Sequence, residues 1–150
     1  MSSRIQKLYE SMILQHNKSP KNFKEVPGCT HVSHGHNPLC GDDYYVFVKV
    51  DDGVVTDIGF KGQGCAISKS SGSLMTVSLK GKPVDDVLEI KDLFLKLVSE
   101  ELSSEEKEKL GKLKVFEGVK QFPVRVKCAA LVWRALEDAL NKGDGEVKTE

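Results

Sequence analysis

Three thiols stand where the residues around them could do chemistry. Cys40 lies in the run Asn37-Pro38-Leu39-Cys40-Gly41-Asp42-Asp43, Cys65 follows Gly62-Gln63-Gly64, and Cys128 ends Phe122-Pro123-Val124-Arg125-Val126-Lys127-Cys128. Cys65 and Cys128 each fall near the start of a segment patterned as a helix, where the macrodipole and free amides favour the thiolate. A thiolate is both the nucleophilic and the metal-binding form of cysteine. Brought together with the carboxylate of Asp42, the three would make a tetrahedral set for Zn²⁺ or, with bridging sulfide, hold an Fe–S cluster. Arg125 and Lys127 would offset the negative charge of such a site. Spacing alone leaves this open, because no C-x-x-C pair is present and free cysteine is often a small buried hydrophobe. Cys29 has no local partner and reads as a spare thiol. His31, His34 and His36 alternate in the same region and read as solvated residues before metal ligands. A cysteine hydrolase using Cys40 or Cys65 with a loop histidine as base has no supporting signature.

The elements that must position these residues follow from periodicity. Ile5, Leu8, Tyr9, Met12 and Ile13 recur at helical spacing over Ser3 to His16. Residues 17–42, rich in Asn, Pro, Gly and His, predict a long loop with little regular structure. Tyr44 to Val50 is dense in aromatic and β-branched residues, Asp51-Asp52-Gly53 turns the chain, and Val54 to Phe60 returns it as a hairpin. A short third strand would fit around residues 60–65. Ala66 to Leu79 predicts a helix with a small-residue face (Ser68, Ser70, Ser71, Gly72, Ser73), able to approach another backbone or a bound group closely. Val84 to Leu97 predicts one or two short helices. The charged stretch Glu100 to Lys114, with a helix opening at Ser103-Ser104, has little apolar surface and is expected to lie outside. A last helix runs from Pro123 to about Asn141 with Val126, Ala129, Ala130, Trp133, Leu136 and Leu140 inward.

The expected architecture is one α+β domain over residues 1–150, with several helices on one face of a small antiparallel sheet. Its ordered core would span 3–141, and the polar tail 143–150 would fray. With 150 residues and 39% hydrophobic composition, the chain can bury a core without disulfides. Lys+Arg and Asp+Glu balance at 22 each, so no global field recruits nucleic acid. No apolar run reaches the ~18 residues needed to span a bilayer, and the N-terminal residues lack a signal-peptide pattern. A cytoplasmic location with reduced thiols is therefore expected.

Taken together, Asn37 to Asp42, Phe60-Lys61-Gly62-Gln63-Gly64-Cys65-Ala66-Ile67-Ser68 and Phe122 to Cys128 resemble the IscU/NifU-like iron–sulfur assembly family. The N-terminal helix and Ser19-Pro20-Lys21-Asn22-Phe23 fit too, so the resemblance covers residues 3–141. The scaffold branch has histidine before its third cysteine, where this chain has Lys127, and the chain between Cys65 and Cys128 is longer. Both features resemble the SufU-like branch, which implies zinc binding and sulfur acceptance from a pyridoxal-phosphate-dependent cysteine desulfurase. The resemblance implies a SufE/NifU-like fold, Cys40, Asp42, Cys65 and Cys128 as metal ligands, and Cys40 as the sulfur acceptor. Asp43 is given neither role. It further implies either a sulfurtransferase-like acceptor or a transient scaffold for a 2Fe–2S or 4Fe–4S cluster, which Cys40, Cys65 and Cys128 would hold. Downstream Fe–S acceptor or carrier proteins would be its partners. The alternative is an interaction module with a purely structural zinc.

Overall fold

The computed structural model describes residues 3–141 and 146–148. Helix α1 (Ser3–Lys18) precedes strand β1 (His31–Asn37), then strands β2 (Asp42–Asp51) and β3 (Val54–Gln63). Helices α2 (Ala66–Leu79), α3 (Val84–Leu97) and α4 (Ser104–Leu110) follow. A 3-10 segment, Gly111–Gln121, leads into helix α5 (Pro123–Leu140), and a short strand β4 (Glu146–Lys148) closes the order.

The hairpin is where the aromatic and β-branched run predicts it. Asp52 and Gly53 take φ of +49° and +76°, the pair of left-handed residues that a two-residue hairpin loop requires. Two expectations are corrected at the sheet. Residues 17–42 are not irregular throughout, because His31–Asn37 pairs antiparallel with β2. The third antiparallel strand is this one; residues 60–63 simply continue β3. β1 hides from a periodicity search because its inward residues are Ser33, Gly35 and Asn37 rather than large apolar ones. The sheet order is β3-β2-β1-β4, with β4 parallel to β1. Within the tail 143–150, Glu146–Lys148 forms the short strand β4, while 143–145 and 149–150 lie outside the described residues.

One face of the sheet is covered. Tyr44, Val46, Val48, Val55, Ile58 and Phe60 are fully buried against α2 and α5, whereas Val32 and Tyr45 on the other face are exposed. α5 is central and more enclosed than a single stripe would require: Leu131, Val132 and Ala135 are buried along with Ala129, Trp133 and Leu136. Trp133 stacks on Phe94 (4.3 Å, 15°) and donates from Nε1 to Ser71 Oγ at 3.0 Å. Ser71 Oγ donates in turn to the Ala129 carbonyl at 2.7 Å. The small-residue face of α2 thus does bring it close to another helix. No helix among the described residues is long and apolar enough to cross a membrane.

The charged stretch is also corrected. Leu102, Leu110 and Leu113 are buried, so residues 100–114 hold an apolar edge as well as a solvated one. α4 is started by a reciprocal cap: Ser103 Oγ accepts from the Glu106 amide at 3.2 Å, and the Ser103 amide donates to Glu106 Oε1 at 3.0 Å. Ser103→Ala is expected to lower stability by about 1 kcal/mol, read as a lower denaturation midpoint. Metal affinity should be unchanged, since α4 packs on α3 and the 3-10 segment, apart from Cys40, Cys65 and Cys128.

Candidate metal and sulfur site

The site forms at one end of the sheet, where three segments meet. Asn37 ends β1 and stands opposite Asp42, which opens β2. The turn between them is closed by the Cys40 amide, which donates to the Asn37 carbonyl at 3.2 Å, with Gly41 at φ +72°. Glycine takes that left-handed conformation without a Cβ penalty. On the other side of β2, Gln63 pairs with Asp43, so the next residues, Gly64 and Cys65, come alongside Asp42. The Cys65 amide donates to Asp42 Oδ1 at 3.0 Å. Cys65 is the N-cap of α2, and its Sγ accepts from the Ser68 amide at 3.4 Å. Cys128 arrives from α5 and is fully buried.

Donor atoms of Cys40, Asp42 and Cys128 all lie within 4.8 Å of one another. The structure thereby brings three of the four expected ligands together, and the fourth, Cys65, touches Asp42 through its backbone. Asp42 is 1% exposed, and its two oxygens differ. Oδ1 accepts from both the Cys65 amide and Ser68 Oγ, each at 3.0 Å. Oδ2 is buried without a hydrogen-bond partner among the described residues, a costly state for a carboxylate oxygen unless something else satisfies it.

Cys128 corrects one electrostatic expectation. It lies too far into α5 to use the free amides, and its Sγ approaches the Val124 carbonyl at 3.5 Å. Burial pushes its thiol well above the ordinary range, and contacts with Cys40 and Asp42 and the charge of Cys65 push the same way. Donors that each become negative cannot all ionise in one pocket without a cation among them. Two thiols, a carboxylate with an unsatisfied oxygen and a third thiol alongside fit a borderline-soft cation of the kind cysteine binds.

Arg125, exposed at the start of α5, has its guanidinium held in the charged form by Cys65 first and by Cys128 and Cys40 after it. Lys127 is exposed and borders a small cavity with Asn37, Leu39, Cys40 and Val124. Cys29 is half-buried in the loop before β1 and stands outside the donor group. His34 and His36 project from the opposite face of the sheet; His34 Nε2 lies 2.7 Å from Asp43 Oδ1. Asp42 and Asp43, adjacent in a strand, therefore serve opposite faces, as a two-residue period dictates.

Three further residues line the site without a role assigned from the sequence. Asn37, 1% exposed, directs Nδ2 toward Cys128 Sγ at 3.9 Å. Ser68 joins Asp42 to Tyr44, whose hydroxyl lies 3.1 Å from Ser68 Oγ. Burial, the largest influence on Tyr44, holds its phenol protonated. Strand alternation places Tyr44 on the same face as Asp42, and that was the available clue.

Fold and site together define a small α+β domain that presents a partly buried thiol–carboxylate donor set at one end of its sheet. The chain belongs to the family of NifU-like N-terminal domains, whose family model matches residues 8–142. It is 35% identical over 144 residues to the zinc-dependent sulfurtransferase SufU of Bacillus subtilis, covering 96% of this chain and 97% of that one. It is 36% identical over 140 residues to the iron–sulfur cluster assembly scaffold protein IscU of Streptococcus pyogenes, covering 93% and 87%. A crystal structure described as a putative iron–sulfur cluster assembly scaffold protein for the SUF system, from Fervidobacterium islandicum, superposes with a TM-score of 0.81. That structure is 31% identical, with 93% of this chain and 99% of that one covered.

Proposed function

We propose that this protein accepts sulfur on Cys40 from a pyridoxal-phosphate-dependent cysteine desulfurase and passes it toward iron–sulfur cluster assembly. Cys40, Asp42, Cys65 and Cys128 are its zinc ligands in this reading. The observation that carries it is the convergence of Cys40, Asp42 and Cys128 donor atoms around a buried carboxylate oxygen with no hydrogen-bond partner among the described residues. When bound, zinc would lower the pKa of the thiols and tie the Cys40 turn to α2 and α5.

Burial disfavours Cys128 as the acceptor, and position on a turn outside the helices favours Cys40 over Cys65, which is half-buried as well. Cys128 is fully buried, and Cys65 Sγ is engaged by the first turn of α2. Cys40 is half-buried on the turn between strands. Leu39 beside it in the chain is 71% exposed, and Phe122 and Val124 across the adjoining cavity are exposed as well. An apolar rim of this kind is what a protein donor would cover. The Cys40 thiolate attacks the outer sulfur of the donor's persulfide. A new S–S bond forms at Cys40 Sγ, the donor's own S–S bond breaks, and its electron pair leaves on the donor's cysteine thiolate, with no net oxidation. Arg125 and Lys127 bring positive charge beside the thiols, which complements an anionic sulfur in transfer.

A second reading, transient cluster scaffold, is favoured by the same donor set, since a carboxylate is a harder and weaker ligand for iron than thiolate and would release its cargo readily. Anaerobic purification with metal and sulfide analysis, followed by incubation with desulfurase and cysteine, separates the two. The acceptor reading expects colourless protein with one zinc per chain and one added sulfur on Cys40 by mass spectrometry. Iron with labile sulfide and no sulfur on Cys40 would reverse the order. Protein that binds neither metal nor sulfur sinks both.

A further inference from the structure

The carboxylate at the centre of the site is held on one side only. Oδ1 receives the Cys65 amide and the Ser68 hydroxyl, and Ser68 Oγ is itself 3.1 Å from the hydroxyl of Tyr44. We infer that Tyr44 and Ser68 are positioning residues that, with the Cys65 amide, fix Asp42 so that Oδ2 alone is presented to a metal. This inference rests on the proposed role of Asp42 as a ligand.

Counting hydrogens orders the chain. Tyr44 is 0% exposed, and a buried tyrosine hydroxyl takes a partner. Ser68 Oγ is the side-chain partner found for it among the described residues. Ser68 has one hydrogen and two lone pairs. If Tyr44 donates to Ser68, the Ser68 hydrogen is free to go to Asp42 Oδ1 at 3.0 Å or to the Cys65 carbonyl at 3.1 Å. The ionised carboxylate is the stronger acceptor, so the run is Tyr44 to Ser68 to Asp42. The Cys65 amide fills a second site on the same oxygen. Turning the carboxylate to offer both oxygens would break two hydrogen bonds in a place where water cannot replace them.

The consequence concerns which ligands stay. Asp42 is anchored to the start of α2 through Ser68 and Cys65, and Cys128 is enclosed in α5. Cys40 is the donor of the group that lies on a turn outside both helices. The clamp therefore keeps Asp42 in place whether or not Cys40 is engaged by a partner. Tyr44 also packs its ring against Phe60 at 5.7 Å. If filling the core were its whole role, losing the hydroxyl would be silent at the metal.

The test uses the full chain and two variants, Tyr44→Phe and Ser68→Ala, with Asp42→Ala as control. Zinc affinity is measured by competition with a chromogenic chelator, cobalt is substituted for zinc to record the ligand-field spectrum, and the metal-free protein is melted. Loss of a group that orients a metal ligand typically weakens binding ~10–100-fold. Ser68→Ala is expected in that range and Tyr44→Phe in the same direction, both with altered cobalt bands; the metal-free proteins stay folded, Tyr44→Phe melting close to the parent and Ser68→Ala lower because the buried Tyr44 hydroxyl loses its partner. Parental affinity and spectrum in both variants would overturn the inference, and an effect of Ser68→Ala alone would remove Tyr44 from it. Should Ser68→Ala fail to fold, Tyr44→Phe decides, because it keeps the ring and its packing. Asp42→Ala with parental affinity and spectrum would overturn the ligand assignment itself, and this inference with it.

Discussion

Cys40→Ser is expected to reduce sulfur uptake to background and to leave a folded protein. Oxygen in place of sulfur keeps the side chain's size and its half-buried position on the turn, so the fold loses little. The nucleophile is lost, because a serine hydroxyl stays protonated near neutral pH and does not attack a persulfide sulfur. The same exchange at Cys128 has a different meaning. Cys128 is fully buried within α5 with Asn37 Nδ2 directed at its sulfur, so Cys128→Ser acts on metal retention before it acts on transfer. Cys65→Ser keeps a side chain able to cap α2, since serine is a strong N-cap residue, and it too should lose metal first. Peptide mass spectrometry after incubation with desulfurase and cysteine reads all three variants. Parental sulfur loading at Cys65 or Cys128 in the Cys40→Ser protein would show that burial and position on the turn do not choose the acceptor.

The difference between the three cysteines was only half legible in the sequence. Their local contexts could be read directly: a turn with glycine, a Gly-Gln-Gly run before a helix, and a helix begun by proline. Cys65 does cap α2, and Pro123 does open α5. Their convergence could not be read, because it depends on register. β2 and β3 pair Val50 with Val55 but Lys49 with Asp57, leaving Thr56 as an extra residue whose hydroxyl donates to Asp51 at 2.8 Å. Beyond that bulge each residue of β2 meets a partner one place later, which sets Asp43 opposite Gln63 and brings Gly64 and Cys65 to Asp42. A bulge has no strong sequence mark, yet a one-residue slip moves every side chain along the pair.

β1 is hidden in the sequence for a related reason. His-Val-Ser-His-Gly-His-Asn has no apolar alternation because α5 packs close to its inner side, where only small residues fit. Its outward histidines, without apolar neighbours in alternation, carry the pattern of loop residues. The family resemblance supplied the ligand set without this strand, but the strand is what holds the Cys40 turn, since Asn37 at its end pairs with Asp42. Tyr44 and Ser68 were visible as a strand aromatic and a small helix residue. Their joint contact with Asp42 needed the three-dimensional register.

That register makes Gly64 the residue whose replacement should disturb the site most widely. A Cβ at position 64 would overlap Ser68 Oγ and stand 2.5 Å from Asp42 Oδ1 and 2.7 Å from the Tyr44 hydroxyl. These are the three members of the clamp, so Gly64→Ala cannot be relieved by moving any one of them alone. Overpacking of this kind costs about 1–3 kcal/mol, which chemical denaturation would register. Displacing the Asp42 carboxylate along with its two hydrogen bonds should lower zinc affinity by at least the ~10–100-fold attached to losing one supporting group. The double variant Gly64→Ala/Tyr44→Phe distinguishes crowding from loss of support. Removing the Tyr44 hydroxyl gives the new methyl some room, so part of the stability should return. Affinity should not return with it, because the hydrogen-bond chain to Asp42 has lost its first member. Residues in contact couple in this way. Recovery of affinity together with stability would mean that Tyr44 and Ser68 only fill space beside Asp42.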